Sequence, residues 1–389
     1  MKRKTQVDVS SFAEAAIQSR PVLAILTIDD DIQLFRGNRH NFSDLLATGE
    51  EQGFLTYVVT VKNLKLSSAR VIGYTYNASK DSWMEAWFPR PNFVYNRIPQ
   101  REDERLPWVK KKLAAIANRP DIILFNRRFF NKWTLFKWLN EARRTRAYVP
   151  ETRRLTEPLV LSSLLKRHSQ IYLKPIMGKA GVGIMKVRVL PERQLPYRLQ
   201  IQEERGSRTY NCATISRLWS RIRRQSKAAG EPYIAQQGIS LASVNDRPFD
   251  LRALIQKNQN GVWELTGIGA RLAGNTSITT HVPRGGSIED PERLLVSVFG
   301  QEKAQRVLSK VKNTAVLLAS RIERASKHRM CEMSMDLGVD ETGHVWFFEA
   351  NSKPMKFDEP HIRQKSLERI FQYSQYLHRQ SQHKGGGSR

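Results

Sequence analysis

Cysteine is nearly absent: Cys212 and Cys331 are the only two among 389 residues, and neither sits in a CxxC or near histidines at a metal-like spacing. Two such thiols make neither a disulfide framework nor a zinc cluster, so a reducing compartment is the natural setting. Long apolar runs are also missing. The longest, such as Pro21 to Ile28, are of strand length, far from the roughly 18 to 20 residues that a membrane span needs. The N-terminal MKRKTQVDVSSF is basic but turns polar where a secretory signal carries its apolar core, so export by that route is not expected and a cytoplasmic location is. The final GGGSR is read with residues 381–389 as a flexible tail.

Negative charge is the third shortage. Against 64 lysines and arginines stand 37 acidic residues, a net charge of +27. A field of that sign calls for a polyanionic neighbour, but nucleic acid, an anionic membrane surface and an acidic polymer satisfy it equally. Basic stretches at Arg127 to Lys137, Arg143 to Arg154 and Arg217 to Lys227 contain Phe129, Trp133, Trp138 and Trp219, and basic charge with interleaved aromatics can bind single strands by stacking. Yet Trp133, Phe136 and Leu139 fall at helical spacing, as do Ile215, Leu218 and Ile222, which marks a buried face. No specific nucleic-acid partner is expected. An acidic peptide or polymer suits the charge better, since a positive cleft speeds its encounter.

What the chain does have is enough for two or three packed units, with 40% hydrophobic residues over this length. Strand patterns at Arg20 to Thr27 and Gly53 to Val61 flank a helix over Asn41 to Glu51, a βαβ arrangement that makes the N-terminal region an α/β domain. It is extended by strand-like Trp83 to Phe88, Phe93 to Arg97 and Ile122 to Asn126, until Tyr148 to Thr152 breaks the pattern. A helix over Pro158 to Arg167 leads into a hairpin around a glycine loop, and a strand spans Tyr233 to Ile239. Phe249 to Lys257 and Val262 to Leu272 form a second hairpin about Asn258 to Gly261. The helix Gln301 to Ser326, a third hairpin from Cys331 to Glu349 and a last helix over Ile362 to Leu377 complete the reading.

Three constellations carry chemistry. The first is KPIMGKAGVG, Lys174 to Gly183: glycines between two strands let backbone amides close round a phosphate while a lysine reaches the same anion. It is neither a P-loop nor a Rossmann fingerprint, and a plain glycine-rich hairpin remains open. In the second, the third hairpin sets Asp336 beside Glu349, with Asn351 two residues on and facing the same way. Two carboxylates and an amide on one face suit a hard cation such as Mg²⁺ completed by phosphate oxygens; the alternative is a solvated hairpin face. In the third, Asp250 and Arg252 share a strand face and Arg271 returns beside them. Such arginines suit charge on a transferring phosphoryl group, although surface arginines are common in so basic a chain.

The order of these elements over residues 150 to 355 resembles the ATP-grasp superfamily of carboxylate-amine ligases. NRRFFNKW (Asn126 to Trp133), YVPET (Tyr148 to Thr152) and YLKP (Tyr172 to Pro175) are similar to its endospore coat-associated, YheC/YheD-like subgroup of Bacillus-type bacteria. The resemblance implies an α/β (α+β ATP-grasp) fold: an N-terminal pre-grasp domain at 1–150, then subdomains at 151–235 and 236–380 with the nucleotide between them. It implies that Lys174 contacts the α- and β-phosphates, that Gly178, Lys179, Gly181 and Gly183 belong to a phosphate lid, and that Gln236, Gln237, Gly238 and Ile239 present their backbone to adenine. Arg252 and Arg271 would clamp the γ-phosphate; Asp336, Glu349 and Asn351 would hold Mg²⁺, or Mn²⁺ in its place; Asn275, Gly285, Gly286 and Ser287 would line the acceptor side. His281, near that segment, is a candidate base or an exposed loop residue.

The implied reaction is ATP-dependent joining of a carboxylate to an amine through an acylphosphate, in the cytoplasm, forespore or spore coat and among spore-coat components. Two other readings stand beside it: a structural coat protein that binds nucleotide without turnover, and a small-molecule kinase of the same fold.

Overall fold

Val22–Thr27 (β1) is apolar up to its last residue and buried throughout, as a parallel strand covered on both faces must be. Arg39–Glu51 (α1), capped by the Asn38 side chain accepting from the Asn41 N–H, returns the chain to Leu55–Thr60 (β2), which runs parallel to β1. The expected βαβ unit is therefore present. A hairpin of Arg70–Asn77 (β3) and Ser82–Pro89 (β4) extends the sheet beyond β2, and Phe93–Asn96 (β5) and Ile123–Phe125 (β6) add parallel strands on the other side of β1. The computed structural model describes residues 20–178, 181–203, 206–274 and 286–385.

Short helices Arg101–Arg105 (α2) and Pro107–Ala117 (α3) precede β6, and Lys132–Glu141 (α4) and Arg143–Arg146 (α5) follow it. Phe136 and Leu139 of α4 are buried, and Trp133 and Trp138 pack against the same core. The aromatic residues of this basic stretch thus form a packed face and not a stacking platform.

The second sheet has the order β11-β10-β9-β8-β12-β7 and is antiparallel, built from Thr152–Arg154 (β7), Gln170–Pro175 (β8), Met185–Val189 (β9), Tyr197–Gln202 (β10), Ser207–Cys212 (β11) and Tyr233–Gln237 (β12). No strand was expected over the β10–β11 hairpin, although Leu199 and Ile201 of β10 alternate as strand residues do. Helices Pro158–Arg167 (α6) and Ile215–Ala229 (α7) cover one face, with Leu161, Leu164, Leu218 and Ile222 packing on Leu173, Val187 and Ala235. Strand alternation turns Tyr172, Lys174, Lys186 and Gln236 to the other face.

The third sheet runs β16-β15-β14-β17-β18, with Ser243–Val244 (β13) paired to β14. Its strands are Arg247–Lys257 (β14), Trp263–Leu272 (β15), Ser287–Glu289 (β16), Glu332–Val339 (β17) and Val345–Asn351 (β18). Helices Pro291–Phe299 (α8) and Gln301–Ser326 (α9) lie on one face. In α9 the buried stripe Ala304, Val307, Val311, Ala315, Leu318 and Ile322 repeats every three or four residues.

The final helix, Pro360–Gly385 (α10), departs from expectation twice. Residues 381–385, read as flexible tail, continue it. Its apolar face also packs against the N-terminal sheet, where Leu367, Ile370 and Phe371 meet Leu23, Phe42, Phe54 and Phe93. The core on this side of the N-terminal sheet is thus completed by the last helix. A polar seam makes the same join. Asn126, in the left-handed region at φ 53°, donates to the Glu332 and Ser352 carbonyls and accepts from the Cys331 N–H. Glu332, whose carboxyl is raised by burial against the pull of Arg97, accepts from Tyr95 and Arg97.

Phe371 is fully buried, its ring 5.2 Å from that of Phe54. Phe371→Ala is expected to lower stability by about 3–5 kcal/mol; urea unfolding followed by circular dichroism measures it.

Candidate active site

The third sheet builds one face of the site by register alone. On β14, Asp250 stands opposite Arg271 of β15 and Gly338 of β17, and Arg252 stands opposite Gly269 and Asp336. The next rungs pair Asp336 with Glu349 and Ser334 with Asn351. Asp336, Glu349 and Asn351 thus share a face, as expected, because the register slips by one residue between Asp336 and Leu337, and Arg252 and Arg271 share it too.

A β-bulge adds what alternation alone would forbid. The β17–β18 register slips between Asp336 and Leu337, leaving Phe348 without a partner, and a bulge re-aims the side chains beside it. Phe348 lies over Gly338, where a Cβ would come within 2.5 Å of the ring and 2.7 Å of Leu241. Lys174 Nζ stands 5.4 Å from the centre of that ring. Phe348 and Leu241 thus form an apolar surface beside the Lys174 ammonium.

Cations from three elements converge on this face. Lys174 Nζ donates to Gln236 Oε1 at 2.7 Å, and Gln236 Nε2 donates to Thr152 Oγ1 at 2.9 Å. Burial pulls the Lys174 ammonium down to about 8, although the Glu349 carboxylate opposes the shift. Lys186, across the hairpin and 5.2 Å from the Tyr172 ring centre, is also lowered to about 8, by burial and then by Arg188. Lys132, in the first turn of α4, donates to Glu349 Oε1 at 2.8 Å and to the Gly178 carbonyl at 2.7 Å.

The two arginines differ. Arg271 binds Asp250 through Nε at 2.8 Å and Nη2 at 2.6 Å, and Nη2 also meets Asp336 Oδ2 at 2.9 Å. Burial works against its charge, but the Asp336 and Asp250 carboxylates outweigh it and raise the pKa. Arg252 lies 4.9 Å from the Phe357 ring centre and has no ion pair among the described residues. Arg271, expected as half of a phosphate clamp, thus sits as a strut between two carboxylates, while Arg252 faces the site.

Other expectations meet a mixed outcome. Gly181 and Gly183 have φ of 71° and 72°, and a side chain at Gly183 would strike Tyr233 Oη at 2.8 Å. The Gly178 carbonyl accepts from Lys132, and its N–H donates to the Pro175 carbonyl at 3.4 Å. The Gln237 N–H is committed to the Glu151 carbonyl and that of Gly238 to Gln170, because β12 lies between two partner strands. Neither N–H is left to donate to an adenine edge; the Ile239 N–H has no partner among the described residues. Ser287 pairs with Leu272, on the face opposite Arg271, and its hydroxyl donates to Glu289. It therefore does not line the site, and Gly286 merely precedes that edge strand. Lys179, Asn275, His281 and Gly285 lie outside the described residues.

Sequence reasoning missed three side chains. Lys186 was findable, since alternation across the β8–β9 hairpin puts it level with Tyr172. Phe348 was not, because a bulge leaves no pattern in the sequence. Lys132 was visible only as part of a basic stretch.

Two carboxylates and an amide oxygen fit a hard divalent cation. Among the described residues no three His, Cys, Asp or Glu side chains could enclose one, so phosphate oxygens would have to complete its shell, as is usual for Mg²⁺.

Sheets facing each other across a lysine- and carboxylate-lined cleft, after an α/β domain, define the fold of the ATP-grasp ligases. Residues 121–377 match the family model described as YheC/D like ATP-grasp, and the chain belongs to that family. Two curated relatives from Bacillus subtilis (strain 168) are similar along most of its length. Endospore coat-associated protein YheD is 27% identical over 368 residues, 92% of this chain and 79% of the relative; endospore coat-associated protein YheC is 20% identical over 367 residues, 91% and 97%. Among solved structures, VanG D-Ala:D-Ser ligase from Enterococcus faecalis shares the fold, with a TM-score of 0.52, 10% identity and coverage of 92% and 100%.

Arg271→Gln leaves Asp250 and Asp336 buried beside a neutral group and is expected to cost about 3–5 kcal/mol. Arg252→Gln is expected to stay within about 1 kcal/mol of the parent. Paired denaturant titrations separate the strut from the arginine facing the site.

Proposed function

We propose that the chain is an ATP- and Mg²⁺-dependent ligase that joins a carboxylate to an amine through an acylphosphate, releasing ADP. The observation that carries this reading is the row Arg252, Asp336 and Glu349 across adjacent strands, with Asn351 one rung on, facing Lys174 and Lys132. Phe348 and Leu241 floor the adenine slot and the Ile239 N–H meets its edge. Lys174, Lys186 and Lys132 take the phosphates beneath the glycine loop. Asp336, Glu349 and Asn351 hold Mg²⁺, or Mn²⁺, which supplies charge neutralisation at the phosphates.

Arg252 holds the γ-phosphoryl group while the acceptor carboxylate attacks its phosphorus and the bond to the β-phosphate oxygen breaks. The amine then attacks the acyl carbon and inorganic phosphate leaves, taking up the proton that the amine gives. In the domain arrangement, 1–150 precedes the grasp and the units 151–235 and 236–380 close on the nucleotide. The names of the curated relatives favour a setting in the spore coat or forespore, and the +27 charge favours an acidic peptide or polymer as acceptor.

Calorimetry with ATP and Mg²⁺ is expected to show binding that Glu349→Gln weakens at least about tenfold, and ADP is expected only when an acceptor carboxylate is present. Hydroxylamine should trap the acylphosphate as a hydroxamate. A phosphorylated acceptor with no amide would mark a kinase; binding without ADP release would mark a coat protein that keeps nucleotide unturned.

The lowered lysines fix a pH signature. Above about 8 Lys174 and Lys186 lose their charge, so ATP affinity is expected to fall from pH 7 to 9. Bound phosphate favours the ammonium forms, so binding near the upper end should take up protons. Calorimetry in buffers of different ionisation enthalpy reads that uptake; affinity flat across the range would remove the lysines from the phosphate site.

A further inference from the structure

A second concentration of cations shares no residue with the site above. Along the open edge of β6, between the ends of α3, α9 and α10, lies a cavity of about 600 Å³. Arg119, Arg127, Lys327, His328 and Arg329 line it, and none of its lining residues is acidic. Arg119 is neutralised by two contacts of 2.7 Å with Asp121. Arg127, Lys327 and Arg329 have no side-chain hydrogen bond or ion pair among the described residues. Glu323, near the end of α9, is engaged by Lys257 at 2.9 Å and by the Trp263 indole at 2.7 Å.

The cluster is held in place by backbone. The Asn126 N–H donates to the Arg329 carbonyl at 3.2 Å, and Asn126 Oδ1 accepts from Cys331 N–H at 3.0 Å, so Arg127 and Arg329 issue from two segments tied together. Lys327 caps α9 at φ 56°, a left-handed position where glycine is usual, and brings three consecutive basic residues to the cavity. Like charges brought together without counter-charges repel one another, and a bound anion removes that cost.

We propose that this cavity binds a small, multiply charged oxyanion, a di- or polyphosphate or a tricarboxylate, held by Arg127, Lys327 and Arg329. His328 reports on occupancy. Burial, Arg128 and Arg127 push its imidazole down to about 4, so it is neutral at pH 7, and an anion alongside would restore its affinity for a proton.

The test is NMR of the full chain, its histidine side chains labelled and His328 assigned with His328→Gln, at 0.15 M salt to suppress diffuse adsorption. Inorganic pyrophosphate and citrate are titrated separately. The His328 resonance should shift saturably with at least one, its pKa should rise, and the tighter of the two tells a phosphate ligand from a carboxylate one. Arg127→Gln with Arg329→Gln should weaken that binding at least about tenfold, and the exposed Lys327→Gln alone should weaken it measurably. Arg143→Gln with Arg144→Gln, an equal loss of charge on α5, should leave it unchanged. A His328 signal indifferent to millimolar amounts of both anions would overturn the proposal, and so would equal losses in the two double variants.

Discussion

Arg271 is the strut on which the candidate site rests. It spans from β15 to Asp250 on β14 and to Asp336 on β17, with all three groups buried. Removing three charges from water costs more than a simple pair returns, unless geometry is good and lone pairs are met. The two-point contact with Asp250 meets that condition and leaves one edge of the guanidinium to orient Asp336. Arg252 and Gly269 take their places from the same three-strand register, and Glu349 from its continuation to β18.

The opposite wall works by dehydration. Tyr172, Lys174 and Lys186 share a sheet face that is only partly open to water, and two ammonium groups there sit near the edge of their charged range. Such groups gain from phosphate more than solvated lysines do, because their charge is already poorly satisfied. Lys132 ties the walls together, one bond going to Glu349 and one to the Gly178 carbonyl of the glycine loop.

The N-terminal sheet is part of the same body. Phe371 and its neighbours on α10 complete one of its cores, Asn126 links it to the start of β17, and Ser352 donates to the Arg128 carbonyl at 2.8 Å. Lys353, just beyond Asn351, donates to Asn96 Oδ1 at 2.9 Å. The strand end carrying Asn351 is thus fixed from the N-terminal side. The cation-lined cavity beside β6 lies against the loop that leads to Lys132 and the segment that opens β17.

Much of this was legible in the chain. Strand period two, with turn residues at Asn258 to Gly261 and Asp340 to Gly343, places Glu349 and Asn351 on one face of their strand and Asp250 and Arg252 on one face of theirs, but it is a one-residue register slip in each hairpin that brings Asp336 beside Glu349 and Arg271 beside Asp250. The helical spacing in α4, α7 and α9 likewise foretold which sides are buried. Local pattern could not foretell what depends on distant partners. The bulge at Phe348, the pairing of Arg271 with two carboxylates, the N–H groups of Gln237 and Gly238 spent inside a sheet, and the helix α10 lying on the first sheet were all decided by tertiary structure. Burial and pairing are settled by which surfaces meet, and surfaces far apart in sequence meet only once the chain has folded.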